Sequence, residues 1–133
     1  MKVFRGRVIK AGHAEGLALV SQVPIGFLGG VDPQSGIVVE PCHPLHGESV
    51  AGRVLVFPGG KGSTVGSYTL LRLAANGVAP VAIVNLRSEP IVAVGALLAE
   101  IPMVDLIPID EFRSGDFVTV EGDTVTIRRN GDP

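Results

Sequence analysis

Between Pro58 and Ser67 the chain reads PGGKGSTVGS, which sets one lysine, Lys61, and three hydroxyls, Ser63, Thr64 and Ser67, among four glycines. Residues of these types handle anions. Gly59, Gly60 and Gly62 let the backbone turn tightly and approach a ligand, and backbone N–H groups at the start of a helix carry partial positive charge. A free serine hydroxyl is a very poor base. It becomes a usable one only where several donors stabilise the alkoxide, the electrostatics of an oxyanion hole. Lys61 and a helix N-terminus have the right sign to do that for Ser63. A second reading stands beside this one: a glycine turn whose hydroxyls do no more than cap the helix that follows. Residue chemistry alone leaves both open.

Two nucleotide patterns are excluded. A P-loop needs a hydroxyl directly after Gly-Lys and a glycine five positions before that pair's glycine; here Gly62 follows Lys61, and Leu55 stands at the earlier position. A dinucleotide loop needs G-x-G-x-x-G, whereas Gly60, Gly62 and Gly66 are spaced one residue too long. The acidic ribose partner expected after the next strand is replaced by Asn85.

The loop is held by a strand over Arg53 to Phe57 and a helix over Ser67 to Asn76. Val78 to Leu86 is a continuous apolar run, the pattern of a parallel strand covered on both faces. Pro90 to Glu100 reads as a second helix, with Pro at its first turn and Ser88 or Glu89 at its cap. Met103 to Leu106 is a further strand, Ile109 to Phe112 another short element, and Phe117–Glu121 with Thr124–Arg128 a hairpin across Gly122-Asp123. Before the loop, Lys2 to Lys10 and Leu17 to Val23 predict an opening hairpin, and Ile37 to Glu40 a short strand. The order predicts an α/β domain of three layers, β/β/α, with a central βαβαβ unit and flanking antiparallel strands. Residues 1–133 are expected to form one domain, with 129–133 a frayed tail.

Composition narrows the function classes. Eleven basic against 13 acidic residues, a net charge of −2, argue against a nucleic-acid binder. No apolar run reaches membrane-spanning length and no signal peptide is visible, so a soluble, cytoplasmic protein is expected. The single cysteine, Cys42, suits a reducing compartment and cannot by itself hold an iron–sulfur cluster. Cys42, His43 and His46 lie within PCHPLHGES, but their spacing is not a usual zinc pattern, and a stiff surface loop is the simpler expectation. No metal site is therefore expected in this chain; His46 remains a candidate contact to a partner or substrate. Arg87 and Glu89 are candidate contacts too, because they follow a strand at its C-terminal end, where open α/β sheets bind ligands. His13 and Arg53 are the weakest candidates.

The runs AGRVLVFPGGKGSTVGSYTLLRL, NGVAPVAIVN and EPIVAVGALLAEIPMVD, with GFLGGVDPQSGIV and HGESVAGR, resemble the small subunit of the aconitase-X family. The resemblance covers most of residues 11–106. It implies the swivelling β/β/α domain of aconitase-type enzymes. It also implies a hydro-lyase, active only with a large subunit that carries the iron–sulfur cluster. The implied reaction is loss of water from (R)-5-phosphomevalonate to give trans-anhydromevalonate 5-phosphate, in the modified, archaeal-type mevalonate route to isoprenoids. Within the family the alternative substrate is cis-3-hydroxyproline. The serine of the GKGS run, Ser63 here, is then the proton acceptor, with Lys61 as electrostatic support and Gly60, Gly62 and Thr64 shaping the loop around substrate. A rival of another class is a non-catalytic swivel module that binds an anion or a partner without a base.

Overall fold

The computed structural model describes residues 1–129. Eight strands lie in one hydrogen-bonded order. They are β1 (Lys2–Arg5), β2 (Arg7–Lys10), β3 (His13–Val20), β4 (Val54–Phe57), β5 (Ala82–Asn85), β6 (Met103–Asp105), β7 (Phe117–Glu121) and β8 (Thr124–Arg128), with helices α1 (Gly66–Ala75) and α2 (Pro90–Ala99). The order across the sheet is β1-β8-β7-β3-β4-β5-β6-β2. Strands β3 to β6 are parallel to one another, and the remaining pairings are antiparallel.

Alternation along β4 shows how this becomes three layers. Val54 and Val56 point into a core between the two halves of the sheet, with Ala82, Val84 and Val104 and with Val118, Val120 and Val125 of the hairpin. Leu55 and Phe57 point the other way, to a core with Ile83, Leu70, Leu73, Val92 and Ala96 under the helices. Each such fully buried aliphatic or aromatic side chain contributes roughly 1.5–3 kcal/mol. The β/β/α architecture and the central β4-α1-β5-α2-β6 unit agree with the sequence.

The opening hairpin does not form. Lys2 to Lys10 is broken at Gly6, and its two halves pair at opposite ends of the order, β1 on β8 and β2 on β6. A Cβ at Gly6 would stand 2.1 Å from the Asp105 carbonyl oxygen, so only glycine lets the chain turn there from one layer to the other. β3 begins at His13 and serves both halves: His13–Leu17 pair with β7 and Ala18–Val20 with β4. Ile37 to Glu40 makes isolated bridges, Val31 to Val38 and Ile37 to Ser49, and no strand. The run from Val78 is a strand only from Ala82, because Val78 still closes α1. Its N–H bonds the Leu73 carbonyl while that of Gly77, at φ +72°, bonds Ala74. The element at Ile109–Glu111 is a single 3-10 turn. Arg129, expected to begin a frayed tail, is anchored through Nε to Asp116 and through its terminal nitrogen to the Glu111 carbonyl; the rest of that expected tail, 130–133, lies outside the described residues.

Candidate active site

The loop from Pro58 to Val65 leaves β4 at its C-terminal end and enters α1. Gly60 forms a parallel bridge with Ile25, and the N–H of Lys61 donates to the Ile25 carbonyl at 3.1 Å. Gly62 has φ +93°, a conformation that glycine adopts without strain. Immediately after this turn Ser63 is exposed, and its Oγ accepts the N–H of Val65 at 3.1 Å. Val65 is the N-terminal flanking residue of α1 and has no side-chain cap of its own. Ser63 Oγ therefore sits at the positive end of the helix with one backbone donor directed at it. That contact is to the flanking residue and not to an N–H within the helix, and it supplies one of the donors an alkoxide needs.

Lys61 is placed differently from the expected support. Its ammonium is bonded to Glu40 Oε2 at 3.1 Å, across from the loop. The Glu40 carbonyl in turn meets His46 Nδ1 at 3.1 Å, so His46 reaches the loop only through Glu40. Thr64 is exposed beside Ser63. Ser67 is turned inward, where its hydroxyl donates to the Ile91 carbonyl at 2.6 Å and ties α1 to α2.

On the other flank the ends of β4, β5 and β6 border a cleft of about 780 Å3, lined among others by Pro24, Gly60, Leu86, Arg87, Glu89 and Leu106. Arg87 is exposed there. Glu89 is occupied as the cap of α2: its carboxylate accepts the N–H groups of Ile91 and Val92, each at 2.8 Å. Gly60 packs directly on that carboxylate, since a Cβ would lie 2.4 Å from Glu89 Oε1 and 2.6 Å from Val92 Cγ2. Glu89 thus positions the loop while it also lines the cleft.

The other candidates lie elsewhere. His13 opens β3, at the end of the strand opposite the loop, and faces Glu121. Arg53 precedes β4 and donates to the carbonyls of Leu17 and Ala18. Neither is brought to Ser63. The PCHPLHGES segment is not simply a surface loop. His43 is buried, its Nδ1 accepting the Leu45 N–H at 3.0 Å and its Nε2 bonding the Pro24 carbonyl at 3.1 Å; the first bond leaves the proton on Nε2.

Three residues have roles at the site that the sequence reading did not give them. Glu40 holds the loop lysine, a pairing across 21 positions that no local pattern announces. Asn85, at the end of β5, is fully buried; its amide donates to the carbonyls of Phe57 and Val84, and its Oδ1 has no partner among the described residues. The one polar residue closing an apolar strand was the signal available for it. Asp105, at the end of β6, is also fully buried. It accepts two bonds from Arg7, at 3.0 and 2.7 Å, and the Ser88 N–H at 2.9 Å. Burial alone would push its carboxyl up, but Arg7 and Ser88 outweigh burial and hold it below the ordinary carboxylate range. The pair fixes the turn that carries Arg87 into the cleft.

The architecture defines a class. The Aconitase X swivel domain matches residues 3–128, and the chain belongs to that family. It is 58% identical over 122 residues to the "Phosphomevalonate dehydratase small subunit" of Methanosarcina acetivorans, covering 90% of this chain and 85% of the relative. It is 56% identical over 123 residues to the protein of that name from Archaeoglobus fulgidus, covering 90% and 92%. The crystal structure of Thermococcus kodakaraensis aconitase X in its holo-form superposes with a TM-score of 0.95 at 45% identity, over 97% of this chain and all of that one. A solution structure of a UPF0107 protein superposes at 0.86 with 51% identity, over 96% and 100%.

An iron–sulfur cluster, which the family resemblance implies for the complete enzyme, needs several thiolate ligands. Cys42 is the one cysteine of the sequence, and among the described residues no three His, Cys, Asp or Glu side chains are grouped to hold a metal ion. The residues present here do not fit a cluster. Among the described residues no helix is long and apolar enough to cross a membrane.

Proposed function

We propose that this chain is the small subunit of a phosphomevalonate dehydratase and supplies its general base, Ser63. The substrate assignment is carried by one observation: relatives 50–58% identical over 85–90% of the chain bear that name. The base assignment is supported by Ser63 Oγ, exposed at the N-terminus of α1 with the Val65 N–H directed at it. Ser63 Oγ takes the proton from the carbon next to the substrate carboxylate. The electrons of that C–H bond form the double bond as the C–O bond to the tertiary hydroxyl breaks, and water is lost. The group that receives the hydroxyl, and the ligands of the cluster, belong to a larger subunit, so the active site is an interface in a cytoplasmic complex. The helix end and the Val65 N–H favour the alkoxide form of Ser63. Lys61 joins them by leaving Glu40, and Arg87 meets an anionic group of the substrate from the cleft.

The test is Ser63→Ala in the reconstituted pair. Because Ser63 is exposed, fold and assembly are expected to survive while turnover falls by a factor of about 10² or more, the scale of a positioned base. A wild-type rate would refute the base and leave a binding module. Assaying cis-3-hydroxyproline beside phosphomevalonate tests the substrate: turnover of the former alone overturns the assignment.

A further inference from the structure

The helix layer has an apolar face that this chain does not cover. The ten residues of α2, PIVAVGALLA, include no charged or polar side chain, yet only Val92, Gly95 and Ala96 among them are buried. A helix apolar on every side belongs in an interior. Val65, Tyr68, Val94, Leu97 and Leu98 are between 45% and 59% exposed. A groove of about 270 Å3 runs between the helices, with Thr64, Val65 and Tyr68 on one wall and Pro90, Val94 and Leu98 on the other. Apolar residues scattered singly over a surface are ordinary; these share one face. A contiguous apolar face of this kind marks an interaction site more often than scattered apolar residues do.

We propose that this face docks the larger subunit of the enzyme through an uncharged, apolar patch on that subunit, with Tyr68 as an anchor at the groove. The inference rests on the proposed function for the existence of that partner and goes beyond it by assigning the surface. Continuity with the reacting residue selects the occupant. The groove begins at Thr64, the residue after Ser63, so a chain that presents substrate to Ser63 Oγ already lies against its mouth. A second copy of this chain fits worse. Two-fold pairing over the same face would cover the groove and its Thr64 end on both copies, beside both Ser63 side chains.

Val94→Glu and Leu98→Glu place a charge on exposed positions of that face. Binding of each variant to the purified large subunit is read by calorimetry and by the mass of the eluted complex. The expected result is an affinity at least tenfold weaker, with the circular dichroism of the small chain unchanged. Leu17→Glu, equally exposed but on the sheet, is expected to bind like wild type. Should either charged variant misfold, Tyr68→Ala removes the anchor without adding charge and is expected to weaken binding in the same direction. Wild-type affinity in the folded helix-face variants would overturn the proposal, as would a dimer of the isolated chain that Val94→Glu splits. The readout is association, not turnover. An assembling wild-type pair that leaves phosphomevalonate untouched therefore refutes the function and spares the docking surface, whereas a wild-type pair that does not associate refutes the subunit reading itself.

Discussion

Gly60→Ala is the sharpest perturbation of the loop, because its consequence follows from three distances. The added Cβ would stand 2.4 Å from Glu89 Oε1 and 2.6 Å from Val92 Cγ2, with the Glu89 carboxyl carbon at 3.0 Å. Gly60 has no positive φ, so backbone strain is not involved; the cost is steric. Moving the Glu89 carboxylate aside breaks its bonds to the Ile91 and Val92 N–H groups, and losing a cap costs about 1 kcal/mol. Val92 is fully buried, and overpacking such a site costs about 1–3 kcal/mol. Together roughly 2–4 kcal/mol is expected, a large share of the 5–15 kcal/mol typical of a domain. The alternative is for the loop itself to move. Ser63 lies three residues on, and a displacement of about 1 Å at a reacting group costs up to about 10²-fold in rate. Urea unfolding of the small chain and dehydration by the assembled pair are the two assays, and a loss is expected in both. In a Glu89→Ala background the cap is already gone, so the added cost of Gly60→Ala should shrink by about 1 kcal/mol while the Val92 share remains. Unchanged unfolding and turnover in Gly60→Ala would refute the packing of this loop on the start of α2.

The remaining predictions concern charge. Asp105 is held below its ordinary value of 3.8 when folded, so its contribution to stability is present above that value and is lost as pH falls through the lowered one. Asp105→Asn should therefore be less stable than wild type at neutral pH and lose less on acidification below about pH 4; parallel acid-unfolding profiles would refute the role of the Arg7 pair. Lys61→Met should lower kcat/KM at least tenfold, whereas Glu40→Gln, which only releases the ammonium, should leave it within a few-fold. Equal losses in steady-state assays of the two variants would mean that the ion pair matters and the free charge does not.

Much of the architecture is local and was therefore legible. An apolar tetrad such as Val54–Phe57, stopped at once by Pro58-Gly59-Gly60, is too short for a buried helix and reads as a strand covered on both faces, and Pro90 after Ser88-Glu89 marks a helix start. The spacing of Gly60, Gly62 and Gly66 likewise excluded the nucleotide loops without coordinates. Where a decision depended on residues far apart in sequence, the chain carried no local sign of it. Lys2 to Lys10 alternates like one strand, and only the packing of Gly6 on the Asp105 carbonyl, where a Cβ would stand 2.1 Å from the oxygen, divides it between two layers. Glu89 reads equally well as a ligand contact and as a cap, and the bonds from the Ile91 and Val92 N–H groups show the cap. Lys61 reads as support for Ser63, yet Glu40 holds it.

By itself, then, the sequence determined the central strands and helices, the closing hairpin, the glycine loop and its serine, because periodicity, capping and turn chemistry act over a few residues. Only the tertiary structure decided which side of each strand meets which core, where Lys61 spends its charge, and that α2 is left apolar and uncovered beside Ser63. Those outcomes depend on distances between segments that the chain brings together only by folding.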